Sequence, residues 1–266
     1  MTTAGPTAGV LRAFGVGGAS LERLAGGRGL TWRAGDVVLR PHDGAVVTDW
    51  RADVLAGLPH SSAFRTPRPI AAADGGWRAG DWEAWGFLPG HADEARVEDV
   101  IRAGTAFHRA LAHVDRPAFL GDGPDRDRSD DPWSRADRMA WDEEPLPRDP
   151  SLDRLAAAFQ PVHAPSQLVH GDLLGNVLFA DGSPPTVIDW PPYWRPAGLG
   201  AAIAAADAVC WHGFPLDGLG ALGDGVADWP QLLVRALAFR IATLSLLGGW
   251  DAAGADRHRP VIDALV

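Results

Sequence analysis

Apolar residues recur along this chain with two periods. Val97, Val100, Ile101, Gly104, Phe107, His108 and Leu111 return every three to four positions and predict a long helix from about Asp93 to His113. Ala201 to Trp211 is apolar almost throughout, and a longer stretch opens at Asp228-Trp229-Pro230 and runs to about Leu247. Both predict helices. Arg235 and Arg240 interrupt the second, which marks it as a buried helix of a folded core rather than a membrane span. Two shorter helices are expected. Thr48 is placed to cap one over Asp49 to Leu58, with Trp50, Val54 and Leu58 facing the core, and Ser151 is placed to cap one reaching Phe159.

Between the helices the pattern changes to short apolar runs bounded by turn residues, which predict strands. Leu21 to Leu24 leads into Gly26-Gly27-Arg28-Gly29, then Thr31-Trp32-Arg33, a Gly35-Asp36 turn and the strand Val37-Val38-Leu39-Arg40. Phe64 to Ile70 is broken by proline. A hairpin follows, from Gly76-Trp77-Arg78 through a turn at Gly80 to Trp82-Leu88. Further on, Leu168-Val169 runs into His170-Gly171-Asp172. Val177 to Phe179, the Asp181-Gly182 turn and Thr186 to Ile188 form a second hairpin ending at Asp189. That hairpin returns Asn176 and Asp189 to one end, and Asp172 sits on the loop feeding the same end. Trp190 to Pro196 is rigid and aromatic. Residues 121–150 are crowded with Asp, Arg and Pro, and Trp133 and Trp141 punctuate a short helix within them. They read as a solvated insert or as a wall offering carboxylates to a ligand.

Composition narrows the function classes. The 266 residues suffice for one large domain or two lobes, 46% are hydrophobic and 22% charged, as in ordinary globular proteins. The chain contains no lysine: all 24 of its Lys+Arg residues are arginine. That rules out a Walker A motif, and Trp32 stands where a dinucleotide-binding fingerprint needs its third glycine. The net charge of −10 argues against a nucleic-acid partner and is compatible with a cationic ligand. Cys210, the single cysteine, lies among apolar neighbours and reads as a buried, inert thiol. The N-terminal stretch lacks the basic start and apolar run of a secretory signal, and no apolar run approaches a membrane span; a cytoplasmic location is expected.

His170-Gly171-Asp172, then Asn176, then Ile188-Asp189-Trp190 resembles the catalytic core of the aminoglycoside phosphotransferase and choline-kinase-like family, which shares its fold with protein kinases. The chain resembles a branch with a shortened catalytic loop followed by a Tyr-Trp-Arg-Pro element: three residues, Leu173, Leu174 and Gly175, separate Asp172 from Asn176, where kinases have four. The resemblance implies an α+β, bilobal, protein-kinase-like fold, with a small antiparallel-sheet N-lobe over residues 1–88 and a mainly helical C-lobe over 89–266. It implies an ATP- and magnesium-dependent phosphotransferase acting on a small-molecule hydroxyl. Asp172 would be the catalytic base, and Asn176 and Asp189 the magnesium ligands. The Gly26, Gly27, Arg28, Gly29 loop would cover the phosphates. Arg40 would stand for the phosphate-binding lysine and pair with Asp53 on the next helix. Trp85, Gly86, Phe87 and Leu88 would form the adenine-binding hinge, and His108 would be structural. Two other readings compete: a nucleotide-binding module without turnover, and a metal-dependent phosphoesterase with His170, Asp172 and Asp189 as ligands.

Overall fold

A computed structural model describes residues 5–25, 29–121 and 130–266. They divide into two compact units, Met1–Gly90 with Phe179–Ile188, and His91–Leu178 with Asp189–Val266.

The first unit begins with α1 (Ala8–Ala13), capped by Thr7. Its sheet contains β1 (Leu21–Arg23), β2 (Trp32–Ala34), β3 (Val37–Pro41), β4 (Arg78–Ala79) and β5 (Trp82–Gly86), in the order β1-β2-β3-β5-β4, antiparallel throughout. Gly35 (φ 61°) and Gly80 (φ 58°) make the tight turns expected of them. Leu11, Phe14, Ala34, Val37, Leu39 and Ala84 form its core. Between β3 and β5 lies α2 (Ala45–Gly57). It starts earlier than its sequence suggests: Gly44 is the N-cap, and Thr48 is buried within the helix rather than capping it. Its buried face is Thr48, Arg51, Ala52 and Leu55, one position away from Trp50 and Val54, which are only half-buried. The apolar stripe misleads because a polar and a charged side chain, Thr48 and Arg51, turn inward beside Ala52 and Leu55; Leu58 is buried, as expected.

The second unit is mainly helical. It contains β6 (His91–Ala92), α3 (Val97–Leu111), α4 (Pro132–Ala140), α5 (Pro150–Ala157) and β7 (Ser166–His170). β8 (Val177–Phe179) and β9 (Thr186–Val187) flank the Asp181-Gly182 turn, where Gly182 has φ 68°; Phe179 and β9 belong to the first unit. β10 (Pro192–Pro196), α6 (Leu199–His212), α7 (Trp229–Leu246) and α8 (Ala252–Leu265) complete the chain. α3 buries Val97, Val100, Gly104, Phe107, His108 and Leu111, as its periodicity predicts. α7 is the centre of the core, packed by Ala136 and Met139 of α4, Leu152 and Leu155 of α5, Ile203 of α6 and Val261 of α8. α5 is capped by Asp149, which accepts from the amides of Ser151 and Leu152, and not by Ser151. Among the described residues no helix is long and apolar enough to cross a membrane. An antiparallel sheet in one unit and helices in the other make the chain the expected α+β class.

Candidate functional site

The loop carrying Asp172 is held from below by a strand pair. β7 and β10 run antiparallel, with His170 opposite Pro192 and Val169 opposite Tyr193. Asp172, two residues past that rung, and Asp189, three residues before it, therefore leave the ladder at the same end. The aromatic run after Asp189 is thus an ordered strand. Trp190 anchors it: its indole N–H donates to the Val169 carbonyl at 3.1 Å, and its ring meets Phe107 edge-on at 5.3 Å. Asp189 itself is held in the left-handed region at φ 50°, which an aspartate tolerates better than most side chains.

Two histidines brace the loop. The His170 amide donates to Nε2 of His108 at 2.8 Å, and Nδ1 of His108 faces the Ala197 carbonyl at 3.1 Å. Nε2 must therefore accept and Nδ1 must donate, so the ring is neutral. Burial, helped by the neighbouring His170, pulls His108 down to about 3. Nδ1 of His170 accepts in turn from the Asp172 amide at 3.1 Å. His170 is fully buried and committed to this brace, which argues against the metal-ligand role of the phosphoesterase reading. Among the described residues no group of three or more His, Cys, Asp or Glu could hold a metal ion. Close packing completes the support: a Cβ on Gly200 of α6 would lie 2.5 Å from the His170 carbonyl oxygen.

The short loop brings Asn176 and Asp172 together. Gly175 adopts φ 87°, and the Asn176 amide donates to the Leu173 carbonyl at 2.9 Å. The Asn176 side chain then donates from Nδ2 to the Asp172 carbonyl at 2.7 Å and to Oδ2 of its carboxylate at 3.0 Å. The other carboxylate oxygen accepts from Arg240 at 2.6 Å. Arg240 also grips Asp207, with Nε at 3.0 Å and Nη2 at 2.5 Å. Burial works against the charge of Arg240, but Asp207 and Asp172 outweigh it and keep the guanidinium ionised. Neither Arg240 nor Asp207 stands out as a site residue in the sequence. The available signal is their isolation, one acid in apolar α6 and a cation in apolar α7, since buried charges need partners.

Among its described residues, several carboxylates of the acidic insert are matched by arginines of their own unit. Arg195 donates to Asp137 at 2.6 Å and meets Glu143 at 2.9 Å. Arg235 meets Asp142 at 2.8 Å, and Arg138 and Arg135 meet Glu144. These carboxylates are engaged, so they do not form a wall of unpaired negative charge.

In the first unit, one pairing differs from expectation. Asp53 is exposed and accepts from the Trp77 indole at 2.7 Å; it does not pair with Arg40. Arg40 meets Glu83 of β5, at 2.5 Å from Nε. The strand register decides this, since Arg40 and Glu83 are direct cross-strand partners. Of the hinge candidates, Trp85 is buried in β5, with its ring 5.8 Å from the Arg51 guanidinium. The Gly86 and Phe87 amides donate within their own unit, to the Arg68 and Asp36 carbonyls, both at 2.8 Å. Leu88 follows, half-buried, past the end of the strand. Gly26, Gly27 and Arg28 lie outside the described residues; Gly29 has φ 67°, and its carbonyl accepts from Arg23 at 2.7 Å.

The profile of the phosphotransferase enzyme family (APH) matches residues 23–231, a span that includes Arg40, Asp172, Asn176 and Asp189. The chain belongs to this family. Among solved structures, this family member is similar to the aminoglycoside phosphotransferase of Alicyclobacillus acidocaldarius, with 17% identity over 100% of this chain and 96% of that one, and a TM-score of 0.57. It is similar to a thermostable mutant of aminoglycoside phosphotransferase APH(4)-Ia in a ternary complex with AMP-PNP and hygromycin B, with 14% identity, 96% of each chain covered and a TM-score of 0.61. A microcompartment-associated aminopropanol kinase is also similar, with 18% identity, 96% and 92% covered and a TM-score of 0.55. At these identities the likeness shows the fold, which is that of the aminoglycoside phosphotransferase kinases. No curated protein matches the chain.

Proposed function

We propose that this family member is an ATP- and magnesium-dependent kinase that transfers the γ-phosphoryl group to a hydroxyl of a small molecule. The observation that carries the reading is the pair of bonds from Asn176 to Asp172 across the shortened loop. They lock the two residues into one rigid group, which is what phosphoryl transfer asks of a protein. Asp172 accepts the proton of the acceptor hydroxyl as its oxygen attacks phosphorus. Arg40 grips the phosphates with a planar fork that stays charged, the Gly26–Gly29 loop covers them, and Trp85, Gly86, Phe87 and Leu88, at and just past the end of β5, form the hinge. Asn176 and Asp189 would hold magnesium. The nitrogen of Asn176 is committed to Asp172, so its oxygen is the end that can meet a cation, and oxygen donors suit this metal. Bound magnesium supplies charge neutralisation at the phosphoryl oxygens. In this reading residues 1–88 serve the nucleotide and 89–266 the acceptor, in the cytoplasm where ATP is supplied.

The similar structures with AMP-PNP and hygromycin B, and the aminopropanol kinase, support a nucleotide donor and a small alcohol acceptor. The matched carboxylates of the insert give no separate reason to require a polycationic acceptor. The test is ADP release by the purified protein with ATP, magnesium and a panel of amino sugars, amino alcohols and polyols. Hydroxyl-dependent release is expected, and Asp172→Asn should lower it about 10²–10⁴-fold. A second reading, nucleotide binding without turnover, draws on the 2.6 Å contact of Arg240 with Asp172, which competes with the acceptor for the carboxylate. Stabilisation by ATP without ADP release on any acceptor would select it.

A further inference from the structure

We infer that Glu83 is the positioning residue that aims Arg40 at the nucleotide phosphates, from within the sheet rather than from helix α2. The inference rests on the phosphotransfer reading, in which Arg40 meets those phosphates. Arg40 and Glu83 face each other across β3 and β5, and Glu83 accepts from Nε of Arg40 at 2.5 Å. A guanidinium held at Nε has its plane fixed, and its two terminal nitrogens become the leading edge. The mount is a strand pair, whose spacing is set by backbone hydrogen bonds.

Helix α2 contributes a second cation instead of an acid. Nη2 of Arg51 lies 2.9 Å from Oε1 and 3.0 Å from Oε2 of Glu83. One carboxylate thus serves two guanidiniums. Asp43 lies 3.7 Å from Arg51, but its side chain is 68% exposed and its charge is screened by solvent. The side chains of Glu83, Arg51 and Arg40 are 2%, 4% and 19% exposed. Arg40 is the most accessible of the three, and so the member that a polyphosphate can reach. Burial alone would raise the Glu83 carboxyl, but Arg40 and Arg51 hold it below the usual range, so the anion persists. Because the anchor is a neighbouring strand, movement of α2 does not by itself release Arg40.

The experiment measures the affinity of wild type, Glu83→Gln, Arg40→Ala and the double variant for ATP with magnesium and for adenosine. Glu83→Gln should weaken ATP binding about tenfold, the effect of losing a charge-assisted hydrogen bond. Adenosine, which has no phosphates, should bind all four proteins within about twofold. In the Arg40→Ala background, Glu83→Gln should cost no further ATP affinity. Should Glu83→Gln fail to fold, Glu83→Gln combined with Arg51→Leu, which removes a cation with the anion, carries the same comparison. Unchanged ATP affinity, an equal loss for ATP and adenosine, or the same loss with and without Arg40 overturns the inference while leaving phosphotransfer standing. Wild type that binds adenosine but gains nothing from the phosphates sinks both.

Discussion

Asp207 is the one acid of apolar α6 and Arg240 one of two arginines in apolar α7, and their meeting brings Asp172 into the same cluster. Removing one member of such a group leaves an uncompensated buried charge. Arg240→Leu should therefore destabilise the protein by roughly 3 kcal/mol, read from the urea midpoint. Adding Asp207→Leu should recover much of that stability, because an apolar pair replaces an ionic one. It should not restore turnover, since Asp172 still lacks the contact that orients it. A destabilisation below ~1 kcal/mol for Arg240→Leu would mean that the cluster is solvated and slack. Asp53 offers a sharper contrast. Its bond to Trp77 is exposed, so Asp53→Ala should leave nucleotide affinity within about twofold of wild type, while Arg40→Ala should not. The bond from Arg40 to Glu83 was not legible because it depends on the β3–β5 register, set across the whole of α2 and the connection behind it. Lone charges in apolar helices were legible, but which one meets which is a matter of helix packing.

At the scale of elements, a tight constraint is how closely α6 approaches the loop that carries Asp172. A Cβ on Gly200 would lie 2.5 Å from the His170 carbonyl oxygen and 2.7 Å from Cε1 of His108, and neither neighbour is a flexible chain end. Gly200→Ala should cost about 1–3 kcal/mol and also lower turnover, by displacing the loop that carries Asp172. Gly220→Ala is the control. Its φ is −64°, nothing lies within 4 Å of its would-be Cβ, and it should be neutral or stabilising by up to ~1 kcal/mol. Equal melting temperatures for the two variants would show that the approach is looser than described. The long helices and the second hairpin could be read from the chain because their apolar spacing is regular and their turns carry Gly or Pro. α2 was misjudged by one position, since Arg51 and Thr48 occupy its buried face. α8 went unread: only Val261, Ile262 and Leu265 offer a stripe, and Pro260 interrupts it. Its one clear signal is Asp251, which caps Gly254 at 2.8 Å.

For the molecule as a whole, acid should be the effective denaturant, and the sign follows from His108. The unfolded chain takes up a proton near pH ~6.5, whereas the folded ring resists until about 3. Between those values the unfolded state binds more protons, so stability falls as pH drops, by up to ~1.4 kcal/mol per unit. Glu83 acts lower. Its folded value is depressed, so its contribution is present above the unfolded carboxylate value of ~4.3 and is lost as pH falls through the folded one. Urea midpoints should decline between about pH 6 and about pH 5 in wild type and decline less in His108→Gln. Identical slopes would exclude His108 as the cause. The β7–β10 ladder has a consequence for control. The stretch after Asp189 is stitched into five rungs, and its only hydroxyl is that of the half-buried Tyr193. It offers a modifying enzyme no serine or threonine and no slack segment to rearrange. In the kinase proposed above, this stretch would serve as a fixed strut and not as a switch.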